Sequence, residues 1–187
     1  HAASAFFASP FDEAAVFTVD GVGEWTTTTM GMARGTWDGS GENAIDLFWE
    51  QRFPHSIGLL YSAFTAFLGF HVNDGEYKVM GMAPYGEPTY VDEVRKLISI
   101  NDDGSFALNM DYFAYHHSAS RSFNGKFIDL FGEPRMHSDD FFTAKSAPHR
   151  VGETEAVRRN QHYADIARSI QQVTEEIMLR AARHVHQ

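Results

Sequence analysis

The first third of the chain alternates between apolar runs and short polar turns. Residues 2–8 indicate the end of a helix that stops near Pro10, because proline cannot continue a helix. Two runs rich in apolar and β-branched residues follow, Ala14–Val19 and Trp25–Ala33, and the sequence DGVGE joins them. β-Branched residues favour strands, so these runs predict a β-hairpin. The run Ala44–Gln51 fits either a short helix or a strand.

Two later segments show the three- and four-residue spacing of an amphipathic helix. The segment SIGLLYSAFTAFLGF has one apolar face, with Ser56 as the predicted N-cap and Gly69 near the C-terminal end. The segment RNQHYADIARSIQQVTEEIMLRAARHVHQ predicts a long final helix. Its apolar stripe consists of Tyr163, Ile166, Ile170, Val173, Ile177 and Ala181.

The remaining segments are shorter and are interrupted by glycine and proline, which end regular elements. Residues 116–150 are polar and irregular. Outside that stretch, the pattern predicts a loop or short strand at 73–88, a helix at Tyr90–Ile98, and a strand within 106–115. It also predicts a short helix that ends at Gly132, a continuation of the second strand or a third strand at Gly35–Trp37, and a turn at 38–43.

Charge and composition narrow the classes of function. The chain has 187 residues, which predicts about one domain, and a formal net charge of −10. That charge argues against a nucleic acid or an anionic membrane as main partner, although it leaves room for a local basic pocket. Cysteine is absent, which excludes disulfides and thiolate metal sites and agrees with a cytoplasmic location. The longest apolar stretch, Ile57–Phe70, is too short to span a bilayer.

Asp20 is the residue that the pattern singles out for chemistry. It follows a strand predicted to be buried, where a carboxylate is costly unless a cation or several donors meet it. Gly21 and Gly23 come next, and glycines with positive φ let successive backbone N–H groups form an anion-binding nest. An acid beside such a nest suits a metal–phosphate ligand. The alternative is an ordinary hairpin turn capped by Asp20, and the local sequence leaves both interpretations open.

Other polar residues carry weaker signals. Lys78 lies among glycines and suits a phosphate contact, but a solvated surface lysine fits the same pattern. His1, taken alone, is typical of an exposed or hydrogen-bonded histidine. The pairs His116–His117 and His184–His186 are rejected as metal sites, because adjacent and alternate residues do not share a helix face.

Four long blocks of sequence together resemble one enzyme family. The blocks are HAASAFFASPFDEAAVFTVDGVGEWTTTTMG, FPHSIGLLYSAFTAFLGF, GEYKVMGMAPYGEP and SIQQVTEEIMLRAARHVH, and they extend along nearly the whole chain. They resemble the O-carbamoyltransferases of nodulation-factor and antibiotic biosynthesis, such as the cephamycin, novobiocin and tobramycin enzymes. The resemblance implies an ATP-dependent enzyme that makes carbamoyladenylate from carbamoyl phosphate and ATP. It then transfers the carbamoyl group to a hydroxyl of a small natural product.

The resemblance also implies a fold and a domain organisation. The family's first domain is actin-like and sugar-kinase-like, so we expect an α/β fold with a ribonuclease-H-like mixed sheet and flanking helices. Residues 1–187 resemble only an inner portion of this carbamoyl-transfer domain, and the adenylate-forming C-terminal domain is expected to be absent. Such a fragment is expected to be inactive alone and to bind iron weakly. Open strand edges in it would favour a homodimer.

Individual residues receive roles from the same resemblance. His1 matches the second histidine of the family's H-x-x-x-H iron-binding motif, and Asp20 matches a further iron ligand that is implied in catalysis. The remaining iron ligands are expected before residue 1 and after Gln187. The turn formed by Asp20, Gly21, Val22, Gly23 and Glu24 matches the segment that approaches the adenylate phosphate. Lys78 lies in a block where contact with the nucleotide is expected.

Two other functions fit the same superfold. In a sugar-kinase-like phosphotransferase, Asp20 would hold magnesium and another acid would act as the base. In a nucleotide-binding module without catalysis, the fold would be kept and the chemistry lost. The identity of the acceptor cannot be read from the sequence.

Overall fold

The computed structural model describes residues 1–36, 40–118 and 120–186. Helices and strands are interspersed along the chain, which is compatible with the predicted α/β fold. The chain forms two compact units. Unit 1 consists of His1–Leu59, Ile100–Ala107 and the residues from Ile177 onward, and unit 2 consists of Leu60–Ser99 and Leu108–Glu176.

Unit 1 is built on a three-stranded antiparallel sheet. Its strands form a meander in the order β1 Glu13–Val19, β2 Thr26–Arg34 and β3 Ala44–Arg52. The pairing of β1 with β2 places Thr18 opposite Thr29. The predicted hairpin is therefore confirmed, and the run that fitted either a helix or a strand is strand β3.

A short helix packs on this sheet. Helix α1, Ala2–Phe6, lies against β1, in agreement with the helix end predicted at residues 2–8. Phe6 is 4% exposed and forms a buried cluster with Val16 and Ala33. Burial of these apolar side chains holds the helix on the strand and fixes the position of the residue before it, His1.

The other regular elements are mostly helical. The α-helices are α2 Ile57–Phe67, α3 Glu76–Met82, α4 Val91–Lys96, α5 Gly125–Phe131 and α6 Thr154–His186. Two short strands, β4 Ile98–Ile100 and β5 Phe106–Leu108, form a second sheet. Single 3₁₀ turns lie at Ala83–Tyr85, Met110–Tyr112 and Pro148–Arg150.

Unit 2 has an aromatic core. The Phe127 ring is fully buried, and its centroid lies 4.7 Å from that of Phe131, 5.0 Å from that of Phe64 and 5.5 Å from that of Phe67. These four side chains come from α2 and α5. The helix predicted to end at Gly132 is confirmed, since α5 ends there with Gly132 at a φ of 81°.

The long C-terminal helix also agrees with the sequence. Every residue of its predicted apolar stripe, from Tyr163 to Ala181, is at most 5% exposed. At the start of α2, the Ser56 Oγ accepts the Leu59 N–H at 3.0 Å, which confirms the predicted N-cap. Helix α4 confirms the helix predicted at Tyr90–Ile98, although it is shorter at both ends.

Three local predictions need correction or lie outside the described residues. Within 73–88, Glu76–Met82 form α3 and Ala83–Tyr85 a 3₁₀ turn rather than a loop or strand, because Val79 and Met82 are buried at helical spacing and a Cβ added at Gly81 would meet nothing. Only the first part of 106–115 is a strand. The described residues of Gly35–Trp37 form no strand, and Trp37, like part of the turn predicted at 38–43, lies outside the described residues.

Two wider predictions concern membrane spans and the oligomeric state. In the described part of the chain, no helix has the length and apolarity that crossing a membrane requires. Strands β1 and β3 are the two edges of the sheet in unit 1, which is the feature on which the predicted homodimer depends. The homodimer and the actin-like connectivity stay predictions.

Candidate functional site

Asp20 directly follows β1. Its backbone N–H donates to the Thr27 carbonyl at 2.8 Å, which extends the pairing of β1 with β2 by one residue. One carboxylate oxygen, Oδ1, accepts the Gly21 N–H at 2.7 Å. The Asp20 side chain is 35% exposed. The carboxylate is therefore half-buried, whereas its place after a buried strand led us to expect an enclosed one. A ligand therefore reaches it without opening the fold.

The imidazole of His1 faces the second carboxylate oxygen. The His1 Nδ1 lies 3.4 Å from the Asp20 Oδ2, and the His1 side chain is 72% exposed. The bond to Gly21 fits the turn-capping interpretation of Asp20, and the metal–phosphate interpretation stays a prediction. Through Oδ1 Asp20 caps the turn, and through Oδ2 it faces a second polar group from another element.

The turn after Asp20 requires glycine at one of its two positions. Gly23 has a φ of 53°, and a Cβ placed there would lie 2.3 Å from the Thr26 carbonyl oxygen. A Cβ added at Gly21 would meet no atom within 4 Å. In the described residues, the N–H groups of Val22, Gly23 and Glu24 donate to no acceptor within the protein. The three residues are exposed, and an anion-binding nest at this turn stays a prediction.

A buried serine fastens this turn to the start of α2. The Ser56 hydroxyl donates to the carbonyl oxygens of Gly21 and Asp20, and it also accepts the Leu59 N–H. Ser56 is fully buried. Gly58 lies so close that an added Cβ would come within 2.8 Å of the Asp20 carbonyl oxygen. Hydrogen bonds from Ser56 and close packing against Gly58 therefore hold the backbone of Asp20 and Gly21 against the start of α2.

A cleft of about 320 Å³ opens beside Asp20 and His1. Its walls are the N-terminal end of α1, the glycine turn, threonines of β1 and β2, and the Ile45 and Leu47 side chains of β3. Small-ligand sites begin at about this volume. The cleft thus joins a polar end, which carries the imidazole and the carboxylate, to an apolar wall.

Lys78, the other predicted nucleotide contact, belongs to unit 2. It lies on α3, and its ammonium nitrogen is 5.9 Å from the ring centroid of Phe70 and 5.7 Å from that of Tyr77. Both distances are in the range of a cation–π contact. Contact of Lys78 with a nucleotide stays a prediction.

The His1–Asp20 pair consists of two groups that can each bind a metal ion. Imidazole and carboxylate both bind iron and other divalent transition metals. Two ligand atoms that each lie about 2 Å from one metal are separated by up to about 4 Å, so the separation of 3.4 Å fits. In residues 1–36, 40–118 and 120–186, no group of three or more His, Cys, Asp or Glu side chains is placed to hold a metal. The described residues therefore contain an imidazole–carboxylate pair and no larger candidate metal group, and iron binding stays a prediction.

Sequence analysis missed two residues of this site. Ser56 was predicted only as a helix cap, and nothing in the local pattern indicated its bond to the Gly21 carbonyl. Thr18 lines the cleft next to the acid. It lies two positions before Asp20, and the alternation of side chains along a strand could have placed both residues on one face.

Comparison with known proteins identifies the family. The family model described as "Carbamoyltransferase N-terminus" matches residues 1–187. The chain is 50% identical to the uncharacterised protein sll1178 of Synechocystis sp. over 188 residues, which cover 100% of this chain and 26% of that protein.

Two nodulation proteins match a shorter part. Nodulation protein NolNO of Sinorhizobium fredii is 35% identical over 114 residues, which cover 59% of this chain and 15% of that protein. Nodulation protein NolO of Bradyrhizobium diazoefficiens is 36% identical over 114 residues, which cover 59% of this chain and 19% of that protein. The chain thus spans about a quarter or less of these relatives. The family match extends over its whole length, and the chain belongs to the carbamoyltransferase N-terminal family.

Proposed function

We propose that this chain carries part of the acyl-transfer site of an ATP-dependent O-carbamoyltransferase. The donor is carbamoyladenylate, made from carbamoyl phosphate and ATP, and the acceptor is a hydroxyl of a small natural product. Family membership supports carbamoyl transfer. The observation that carries the location of the site is the His1–Asp20 pair at the polar end of the cleft.

His1 and Asp20 are the residues of this chain that would hold Fe²⁺. When bound, the ion would polarise the carbamoyl carbonyl and offset phosphate charge. The two side chains suit this task because one oxygen of Asp20 is already bonded to the Gly21 N–H, which fixes the direction of the other oxygen. The carboxylate thus approaches a cation with little loss of side-chain freedom.

The glycine turn supplies the second part of the site. The free N–H groups of Val22, Gly23 and Glu24 suit the phosphate of the donor, and the Ser56 hydroxyl keeps the turn in place. The net charge of −10 makes such local N–H donors more important, since a broad basic surface does not attract the anion. In this arrangement the protein orients the donor. The acceptor oxygen would bond to the carbamoyl carbon, the bond from that carbon to the adenylate oxygen would break, AMP would leave, and the hydroxyl proton would pass to solvent.

The test is the substitution Asp20→Asn in the intact protein. Asparagine keeps the size of the side chain and its bond to Gly21 but loses the charge, so we expect carbamoyl transfer to fall by about 100-fold or more. Circular dichroism should be unchanged. Mass spectrometry of the acceptor distinguishes an added carbamoyl group from an added phosphoryl group and so separates this function from a kinase-like one.

Asp46→Asn is the matched control. Asp46 is an exposed carboxylate of β3, and it lies between Ile45 and Leu47, whose side chains line the cleft, so it points to the opposite face. We expect this variant to keep wild-type activity. Full activity of Asp20→Asn, with carbamoylated product and a folded protein, would refute the proposed site.

A further inference from the structure

The four consecutive threonines of β2 have four different surroundings. The Thr26 hydroxyl donates to the Glu50 carboxylate at 2.8 Å, and the Thr27 hydroxyl donates to the His55 carbonyl at 2.6 Å. The Thr28 hydroxyl is buried without a hydrogen-bond partner in the described part of the chain. Thr26, Thr27 and Thr29 all line the cleft, and Thr29 is 9% exposed. Thr29 differs from the other two because its hydroxyl bonds to a second threonine of the cleft rather than to a carboxylate or a carbonyl.

Thr29 forms a pair with Thr18 across the two strands. The residues are direct register partners, and their Oγ1 atoms are 2.6 Å apart. Both residues line the same cleft as His1 and Asp20. Thr18 precedes Asp20 by two residues, which corresponds to roughly 7 Å along an extended strand. The hydroxyl pair and the carboxylate thus lie along one wall of the cleft, at a spacing that a small ligand can bridge.

The pair offers a defined set of hydrogen bonds. Each hydroxyl has one donor and two acceptor lone pairs, and one of the two protons is used between Thr18 and Thr29. One O–H donor and several lone pairs are left for a ligand. A carbamoyl group is planar and presents N–H donors and a carbonyl acceptor that are both attached to one carbon. A hydroxyl pair matches both, whereas the neighbouring Leu47 and Ile45 side chains match neither.

We propose that the Thr18–Thr29 hydroxyl pair recognises the carbamoyl group of the donor and holds it in the cleft beside Asp20. This inference rests on the proposed function, because the cleft must be the carbamoyl-transfer site. It assigns the β1–β2 pair to the transferred group and leaves the glycine turn for the phosphate. Thr18 and Thr29 are then specificity-determining residues of the reaction.

A cross-strand threonine pair also stabilises a sheet, so the experiment must separate recognition from structure. Thr18→Val and Thr29→Val keep the shape of the side chain and remove the hydroxyl. Thr18→Ser and Thr29→Ser keep the hydroxyl and remove a methyl group. Thr28→Val is the matched control, since it removes a hydroxyl from the same strand that bonds to nothing in the described residues.

The measurement is kcat/KM for carbamoyl phosphate in acceptor carbamoylation by the intact protein. Release of pyrophosphate from ATP is followed separately, as a report on donor formation. We expect Thr18→Val and Thr29→Val each to lose about tenfold in kcat/KM, the usual effect of one lost hydrogen bond to substrate. The rate of pyrophosphate release by the two valine variants should stay within about threefold of wild type. The kcat/KM of both serine variants should also stay within about threefold, and that of Thr28→Val should match wild type.

The outcomes separate this inference from the proposed function. If the wild-type protein carbamoylates its acceptor and Thr29→Val is as active as Thr28→Val, the recognition role is wrong while the function stands. If Thr29→Ser loses as much activity as Thr29→Val, the effect is structural and the inference is again overturned. Where a valine variant does not fold, Thr18→Ala or Thr29→Ala replaces it. Absence of any carbamoylated product with the wild-type protein refutes the proposed function itself.

Discussion

The carboxylate turn of unit 1 and the aromatic core of unit 2 hold their side chains in opposite ways. Around Asp20, backbone and hydroxyl hydrogen bonds fix the chain while the carboxylate and the imidazole stay accessible. Around Phe127, rings 4.7 to 6.2 Å apart exclude solvent, and nothing is left for a ligand. The first region keeps functional groups free by bonding the backbone beneath them. In the second region, the contacts between rings stabilise the fold.

The largest effect on stability is expected in the aromatic core. Phe127→Ala removes a fully buried ring that touches side chains from α2 and its own helix, so we expect a loss of about 3–5 kcal/mol in the free energy of unfolding. Hydrogen exchange of the α2 and α5 amides in the intact protein measures it. Tyr77→Ala is the control, because Tyr77 is 61% exposed in the same unit and should change stability by no more than about 0.5 kcal/mol. Equal effects of the two variants would contradict the packing argument.

A smaller effect is expected in the carboxylate turn, where the two glycines should differ. Gly23→Ala places a Cβ against the Thr26 carbonyl at a positive φ, so we expect a cost of about 1–3 kcal/mol and a loss of activity, since the turn must shift beside Asp20. Gly21→Ala meets open space and should be close to neutral. Thermal unfolding and acceptor carbamoylation together check this prediction. A neutral Gly23→Ala with full activity would show that the turn does not depend on this glycine.

The smallest effect concerns Glu76, a carboxylate of unit 2 that accepts hydrogen bonds within the protein. Glu76 accepts the Ser62 hydroxyl at 2.9 Å and the Asn73 N–H at 3.0 Å with one oxygen. Burial alone raises the pKa of Glu76, but these bonds and the N–H groups at the start of α3 outweigh it and lower the pKa below its usual value. The folded state therefore binds this proton less readily than the unfolded state.

The sign of the pH effect follows from that lowered pKa. Glu76 contributes stability above the unfolded pKa of about 4.3, and the contribution is lost as the pH falls through the lower folded value. We expect Glu76→Gln to be less stable than wild type at pH 7 and to approach it toward pH 3. Melting temperatures across this range measure the difference. A gap that stays constant with pH would assign the effect to packing instead, and in neither case should carbamoyl transfer change.

The fold was predictable where one pattern dominated. The long helix α6 and the hairpin β1–β2 followed from regular spacing. Strand β3 stayed ambiguous because its exposed and half-buried positions show no clean alternation. Helix α3 was missed because Gly75, Gly81 and Pro84 resemble loop punctuation. In the structure, Gly75 precedes the helix, Gly81 lies on its open side, and Pro84 falls in the following 3₁₀ turn, where proline is tolerated.

The site was predictable only in part. The acid and the glycines that follow it are visible as a local pattern, whereas pairing His1 with Asp20 needed the family resemblance. Tertiary contacts decide the rest. The Thr18–Thr29 pair depends on the register of two strands, and the bond from Ser56 to Gly21 joins residues far apart in sequence. The threonine partners lie 11 residues apart and Ser56 lies 35 residues from Gly21, so neither pairing is visible before the strand register and the packing of α2 are known.

The Ser56 hydroxyl links the start of helix α2 to the loop that carries Asp20, because it accepts a hydrogen bond from the helix and donates one to the loop. Each element is expected to lose about one hydrogen bond when the other is unformed, so the loop that carries Asp20 should be held less firmly until the first turn of α2 is in place. A ligand that steadies the loop would, by the same connection, lower the tendency of the first helical turn to fray.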